Sequence, residues 1–393
     1  MAESAPVVRQ AGERRAARIE SLRALAALGV LVGHAWGWSH GFNGAAIYGS
    51  YHGRVLLSGG FGVFLFFALS GYLLYLPFAR GVFGDREPVR LGRYAANRAL
   101  RILPLYYVVI AVYLALASHA VQSQWWRYVF FLQNFSGVTV NKVDPPVWSL
   151  IVEVQFYILL PLFAWLVAKT ARRSLGSATA IVATFGVAAF VLRFATVTHP
   201  QDVSAVWRYS LPATCVFFFP GFLLAHLRVY LDRREPRWTT QPFVGSSSVW
   251  FLAGVGAWLV VAYRYDLDIA MLISSALFLG ACALPLRQGR IVKLLDGRII
   301  AGLGAASYSL YLWHGPIIER LSKQSWMPGG FVPLLVVGLV VCCTIAVVSF
   351  RIIESPFLRL RRSWSSSRLP ADPAVVPFPD APAMGTPAVE PTA

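Results

Sequence analysis

The sequence predicts an all-α fold: a polytopic membrane protein of about ten transmembrane helices, with both termini on the cytoplasmic side. Three observations predict it. The chain has 393 residues, 57% of them hydrophobic and only 13% charged, where a soluble domain carries about 25% charged residues. Apolar runs of about 20 residues, the length that crosses a bilayer, recur along the chain. Finally, 27 of the 35 Lys and Arg residues fall in the N-terminal segment and every second connection after it, as positive charge does on the cytoplasmic face. No long stretch of alternating polarity argues for a β-barrel.

In order, the runs are roughly 21–38, 55–79, 99–117, 147–168, 178–198, 205–227, 247–263, 267–285, 299–319 and 331–350. Residues 1–20 read as a basic cytoplasmic segment and 21–358 as one transmembrane domain. Residues 359–393 are first basic, then rich in Pro, Ala and Ser, and read as a disordered cytoplasmic tail. The first run lacks a small-x-small exit and continues into Trp36-Gly37-Trp38, so no cleaved signal peptide is expected. No internal repeat suggests the paired halves of a transporter. The net charge of +17 does not indicate nucleic acid, because it is broken into short clusters between apolar runs. A basic inner surface suits anionic lipid or a phosphorylated substrate instead. Cys215, Cys282, Cys342 and Cys343 lie in apolar runs without metal-ligand spacing and read as inert buried thiols.

The first run carries two ionisable groups, Arg23 and His34. Eleven positions on a helix make three turns plus about 20°, so both lie on one face, ~16 Å apart along the axis. Such groups in a membrane helix are costly and mark a functional path; the competing reading is a signal anchor with a topogenic charge. Counting depth from the ends of the runs places His34, Glu153 of the fourth run and His314 of the ninth in the outer part of the bundle. A buried carboxylate needs a partner, and pairing it with a histidine makes a base able to deprotonate a hydroxyl. The alternative is a polar knot that fixes helix packing. His40, His52, His119 and His199 fall in outer loops or at run ends and read as ordinary histidines. Toward the inner side, Arg98 and Arg101 stand three apart at the start of the third run and face one way. With Arg23 they form a set suited to bidentate phosphate binding, against the plain positive-inside reading.

Five stretches, in order, resemble the acyltransferase-3 family of integral-membrane O-acyltransferases. They are Glu20-Ser21-Leu22-Arg23 through His34; Gly60-Phe61-Gly62-Val63 through Ser70-Gly71-Tyr72; Arg98-Ala99-Leu100-Arg101 through Tyr106; Trp148-Ser149-Leu150 through Glu153 and Tyr157; and Leu303-Gly304 through Ser307-Tyr308-Ser309-Leu310-Tyr311 to His314. Together they span about residues 18–356. The chain departs from the family pattern at Ser21, where many members have glycine. It also departs at Val154, where many have a second acid, and at Phe64, where some carry an acid.

The resemblance implies transfer of an acyl group, commonly acetyl from acetyl-CoA, to a hydroxyl of a carbohydrate or related acceptor. It implies roles for Arg23, His34, Arg98, Arg101, Glu153 and Tyr308. The expected scheme has His34 as general base and Glu153 orienting it. Arg23, Arg98 and Arg101 hold CoA phosphates, and the acyl arm passes Ser70, Ser307 and Tyr308. His314 or Tyr308 steadies the oxyanion or positions the acceptor. No permanently bound cofactor or metal is expected, and acetyl-CoA or another acyl-CoA is the donor substrate. The expected partners are the bilayer and a hydroxyl-bearing glycan, glycolipid or glycosylated small molecule, with no nucleic acid. The expected location is the inner (plasma) membrane, and no appended extracytoplasmic hydrolase-like domain is expected. The rival class is an ion- or proton-coupled transporter using the same intramembrane charges, with a polytopic scaffold third. Trp36, Trp38, Trp125, Trp126 and Trp148 read as an interfacial belt or as platforms for sugar faces.

Overall fold

The computed structural model describes residues 4–43, 48–84, 86–140, 142, 145–197, 203–263 and 268–366. Among these, the regular structure is helical apart from one isolated bridge between Ser246 and Arg287. The principal helices are α1 (Ser4–Ser39), α2 (Gly62–Phe83), α3 (Leu91–Ala115), α4 (Trp148–Thr170), α5 (Leu175–Val197) and α6 (Phe219–Arg234). They are followed by α7 (Ser247–Tyr263), α8 (Asp268–Ala283), α9 (Arg298–Ala305), α10 (Ser307–Ser322), α11 (Phe331–Ser349) and α12 (Ser355–Ser366).

Six helical stretches are long and apolar enough to cross a membrane: Tyr51–Phe83, Leu91–Ala115, Trp148–Thr170, Leu175–Val197, Leu211–Arg234 and Phe331–Leu360. These match six of the ten expected spans, and the chain has the character of a multi-pass membrane protein. The other four differ for visible reasons. In α1, the apolar run is interrupted by Arg23 and His34 and follows a basic front. Helices α7 and α8 have only 17 and 16 residues. The run 299–319 is split at Ala306 into α9 and α10.

The expected domain boundaries at residues 20 and 358 both fall inside helices. The basic front of α1 is continuous with the apolar part, and Arg18 is buried at 4% exposure. Its guanidinium donates to both oxygens of Asp296 at 2.6 and 2.9 Å and to Gln288 at 3.2 Å. Helix α12 carries the chain on to Ser366; residues 367–393, most of the expected tail, lie outside the described residues.

Ion pairs group the basic segments. Arg18–Asp296, Arg80–Asp232 and Arg228–Asp232 link four segments expected on one side. Arg15 sits in the same crowd, where burial and then the neighbouring Arg228 hold its pKa below the ordinary value. Arg193–Asp268 links two segments expected on the opposite side.

Helix α2 is the centre of the bundle, packed against α1, α4, α6 and α8. Phe67, Ala68, Leu69, Tyr72 and Tyr75 point in different directions around it and are all 2% exposed or less, as expected of a helix apolar on every side. Its contact with α6 runs backbone to backbone. A Cβ on Gly71 would lie 2.3 Å from the Phe218 carbonyl, and one on Gly221 would lie 2.1 Å from that of Ala68. Helix α9 approaches α1 as closely at Gly304, where a Cβ would lie 1.8 Å from the Glu20 carbonyl. The sequence departure at Ser21 is absorbed in the same contact: the side chain is fully buried, and Oγ donates to the Leu295 carbonyl at 2.7 Å.

Candidate functional site

The site is built along the seam between α1 and α10. Arg23 Nε donates to Ser307 Oγ at 3.3 Å, and His34 Nδ1 lies 3.1 Å from His314 Nε2. Both α1 residues therefore do face one way, as their spacing requires. The two partners on α10 are seven residues apart, or ~10.5 Å, against ~16.5 Å on α1. The arginine side chain spans the difference.

At the arginine end, one cavity is lined by Arg23, Arg98, Arg101, Ser70, Glu153, Ser307 and Tyr308, seven of the nine residues expected in the site. Helices α1, α2, α3, α4 and α10 each contribute. Arg98 Nε and Arg101 Nη2 are buried and have no hydrogen-bond partner among the described residues. Arg98 lies over the ring of Tyr157 at 5.9 Å. Arg23 is within 3.8 Å of Glu20 and within electrostatic reach of Arg101 and Glu153. Buried donors without acceptors are uncommon, since each loses its hydrogen bonds to water on burial. Two of them on an arginine pair describe a place for an anion.

Glu153 does not pair with His34. Its Oε1 accepts from Ser70 Oγ in a short bond and from Tyr157 Oη at 2.5 Å. The cause is the start of α4. The turn Pro145–Val147 is seated inside the bundle, with the Pro146 carbonyl accepting from Tyr311 Oη at 3.0 Å and from Ser149 Oγ at 3.1 Å. Depth counted from the bilayer edge therefore places α4 too far out. Glu153, about one turn past Ser149, comes level with Ser307 and Tyr308 and not with His314.

His34 and His314 form their own end of the seam. The rings are 4.9 Å apart and inclined by 27°. His314 is fully buried and His34 is half-buried. Neither lines the cavity, but Tyr311 does, and its ring lies 5.6 Å from that of His314. The oxyanion roles expected for His314 and Tyr308 find little room. Tyr308 Oη donates to the Ile102 carbonyl at 2.9 Å, and His314 Nδ1 faces the carbonyls of Tyr311 at 2.7 Å and Leu310 at 3.2 Å.

Sequence reasoning passed over three buried groups. Glu354 is 2% exposed and sits on a π-helical turn, Phe350–Glu354. Its Oε1 accepts from Ser309 at 2.5 Å, its Oε2 has no partner among the described residues, and it lies within electrostatic reach of Arg101 and Arg23. An acid closing the last apolar run was the available signal. Tyr157 was legible as the residue one turn after Glu153. His226, 1% exposed between Tyr75 Oη at 2.9 Å and Thr179 Oγ1 at 3.1 Å, belongs to packing away from the seam. Of the residues expected to be peripheral, His40 contacts the Trp36 carbonyl at 3.0 Å, while His52 and His119 are exposed. His199 lies outside the described residues. Trp148 is packed among Tyr209 and Phe67, whereas Trp125 is 55% exposed, as a belt residue is. Phe64 stacks on Phe217 at 3.9 Å.

Comparison with known proteins agrees with this geometry. A family model described as an acyltransferase domain, that of the acyltransferase-3 family, matches residues 17–351. The O-acetyltransferase OatA of Staphylococcus aureus strain NCTC 8325 is 25% identical over 86% of this chain and 56% of its own length. The protein named "Putative peptidoglycan O-acetyltransferase YrhL" of Bacillus subtilis strain 168 is 24% identical over 86% of this chain and 54% of its own. A further relative from Staphylococcus aureus strain MRSA252, named "Putative O-acetyltransferase", is 25% identical over 90% of this chain and 59% of its own. The chain thus spans between half and three fifths of the length of these relatives. No solved structure matches it. The matched residues contain the whole seam, from Arg23 and His34 on α1 to His314 on α10, and the chain belongs to the acyltransferase-3 family.

Proposed function

We propose that this protein is a membrane O-acyltransferase that moves an acyl group, acetyl in the first instance, from acyl-CoA to a hydroxyl of a carbohydrate or glycosylated acceptor. The observation that carries this reading is the convergence of Arg23, Arg98 and Arg101 on one cavity with buried guanidinium N–H groups left unpartnered. Bidentate guanidinium donors match phosphate oxygens, and CoA presents several. The apolar lining, with Val63, Leu69, Leu73 and Leu74 among it, suits the acyl-pantetheine arm. Ser70, Ser307 and Tyr308 stand beside that arm. Glu153 holds Ser70 and Tyr157 in place, and Tyr157 in turn backs Arg98.

His34 is the general base in this reading. It takes the proton of the acceptor hydroxyl, whose oxygen attacks the thioester carbonyl. The C–S bond breaks, and the thiolate of CoA takes the proton back from the imidazolium. The names of the relatives favour a glycan acceptor. Arginine-rich segments gathered at one end of the bundle favour donor entry from the cytoplasm, with both termini on that side of the plasma membrane.

The test uses inverted membrane vesicles with and without this gene, and with the His34→Ala form, supplied with acetyl-CoA labelled in the acetyl group. Alkali-labile label in the envelope fraction that needs both the gene and His34 is expected. Full labelling by His34→Ala protein would overturn the mechanism. Absence of label with folded wild-type protein, together with no binding of acetyl-CoA, would overturn the function.

A further inference from the structure

The histidine pair has a hydrogen-bond order that can be read from its surroundings. Nδ1 of His314 faces two backbone carbonyls, those of Tyr311 at 2.7 Å and Leu310 at 3.2 Å. Carbonyl oxygens only accept, so this nitrogen carries the hydrogen. A neutral imidazole has one N–H and one bare nitrogen. The bare nitrogen of His314 is therefore Nε2, which lies 3.1 Å from His34 Nδ1. An acceptor there requires the hydrogen of His34 to be on its Nδ1. The remaining nitrogen of His34, Nε2, is then unprotonated. The two rings also differ in access, since His314 is fully buried and His34 half-buried.

We propose that His314 is the positioning residue of this active site, fixing His34 in the Nδ1–H tautomer so that Nε2 of His34 is the atom that takes the acceptor's proton. The helix supplies the order. His314 lies three and four residues after the carbonyls that anchor it, so α10 itself sets the ring, and the ring sets His34. A neutral histidine thus occupies the place where a carboxylate was expected to orient the base. When His34 is protonated during turnover, the lone pair of His314 Nε2 still faces its Nδ1–H, so the pair needs no rearrangement between steps. This inference rests on the acyl-transfer reading for its consequence, though not for its geometry.

The experiment has two arms. In the first, the purified wild-type protein is labelled with ¹⁵N-histidine, and the signals of the two residues are assigned by loss in His34→Gln and His314→Gln. Both rings are expected to show a protonated Nδ1 and a bare Nε2. A proton on Nε2 of His34, or on both nitrogens of His314, would overturn the proposal. This arm needs no turnover. Wild-type protein that transfers nothing would sink the acyltransferase reading and leave the tautomer result standing.

In the second arm, His314→Gln and His314→Met are compared at equal membrane abundance. The glutamine amide has an oxygen for His34 Nδ1–H and an N–H for the Tyr311 carbonyl, whereas methionine fills similar space and offers neither. His314→Gln is expected to keep kcat within about 10-fold of wild type. His314→Met is expected to lose 100-fold or more, the order of a general-base contribution, with donor KM within about 3-fold. Equal kcat for the two would reduce His314 to packing and overturn the proposal.

Discussion

The two ends of the α1–α10 seam solve the burial of polar groups in opposite ways. At the arginine end, three guanidinium groups face one cavity, two of their buried N–H groups lack acceptors, and the carboxylate of Glu153 is engaged with Ser70 and Tyr157. At the histidine end, His314 is matched at both ring nitrogens, and one of its partners is His34. Unmet donors are costly in an apolar interior and stay that way only if something else meets them. A pair whose hydrogen bonds are complete is already in its working arrangement. The difference assigns a task to each end: the arginine end awaits a ligand, and the histidine end is preset for proton transfer.

The largest effect should come from breaking both ends together. Gly304 lets α9 lie against the backbone of α1 at Glu20, directly beneath Arg23 and before the turn that starts α10. Gly304→Leu has no room there, and no flexible side chain can yield, because the contact is a carbonyl. Overpacking of a core typically costs about 1–3 kcal/mol, and here the strain falls on the element that registers α1 against α10. Loss of folded protein in the membrane, or folded protein without activity, is expected on detergent-solubilised size-exclusion and transfer assays. Wild-type activity would mean that the register of the seam is unimportant.

Separating the two ends is the next test. His34→Ala should lower kcat by ~10²–10⁴-fold, the range of general-base effects, and leave donor binding near wild type. Arg98→Ala or Arg101→Ala should do the reverse, weakening acetyl-CoA binding by about 10-fold or more, with a smaller change in turnover of bound donor. Losing one charge-assisted pair costs roughly 1.5–3 kcal/mol, which is on the order of 10- to 100-fold. Arg101→Lys should not restore it fully, since lysine cannot offer the planar fork. Equilibrium binding and single-turnover transfer, measured on the same preparations, distinguish these outcomes. Unchanged donor affinity in both arginine variants would return them to membrane topology.

Glu153 sharpens the comparison further, because its partners assign it to the arginine end. Glu153→Gln keeps an oxygen that can accept from Ser70 and Tyr157, so a loss of about 10-fold is expected, expressed mainly in donor KM. A loss in kcat as large as that of His34→Ala would instead mean that the carboxylate acts on the base during turnover.

Much of this site was legible before the fold was known, and the errors have a common physical origin. Helical spacing alone placed Arg23 and His34 on one face, and both meet α10 there. The convergence of Arg98, Arg101, Ser70, Ser307 and Tyr308 followed from motif order together with the family resemblance. Depth along each helix was not legible, because it was measured from the ends of apolar runs. Helix α4 begins on a turn drawn into the bundle, bound to Tyr311, so its residues sit deeper than their count suggests. The count of spans erred for a related reason. Hydropathy records side chains, while α9 and α10 are parted by a backbone turn at Ala306 inside a continuous apolar run. Glu354 escaped notice because an acid at the end of a run reads as a boundary, and only a π-helical turn brings it back inside.

The smallest effect on activity is expected away from the seam, at Arg193 and Asp268. Arg193 Nε donates to Asp268 at 2.5 Å, Nη2 to the other oxygen at 3.2 Å and Nη1 to the Ala213 carbonyl at 2.9 Å, with the guanidinium 4.8 Å from the ring of Phe217. This cluster resembles the arginine end in its charge but has its acceptors already in place, so it has no use for a ligand. Asp268→Asn leaves the arginine buried at 8% exposure with a weaker partner. Removing one member of a fully buried pair costs about 3–5 kcal/mol; Asp268 itself is 24% exposed, so a loss nearer 1–3 kcal/mol is expected. It should appear as a lower thermal midpoint in detergent. The activity per folded molecule and the affinity for acetyl-CoA should stay within about 2-fold of wild type. If Asp268→Asn weakens acetyl-CoA binding as much as Arg101→Ala does, then a complete hydrogen-bond set no longer marks a structural arginine, and the contrast between the two ends loses its basis.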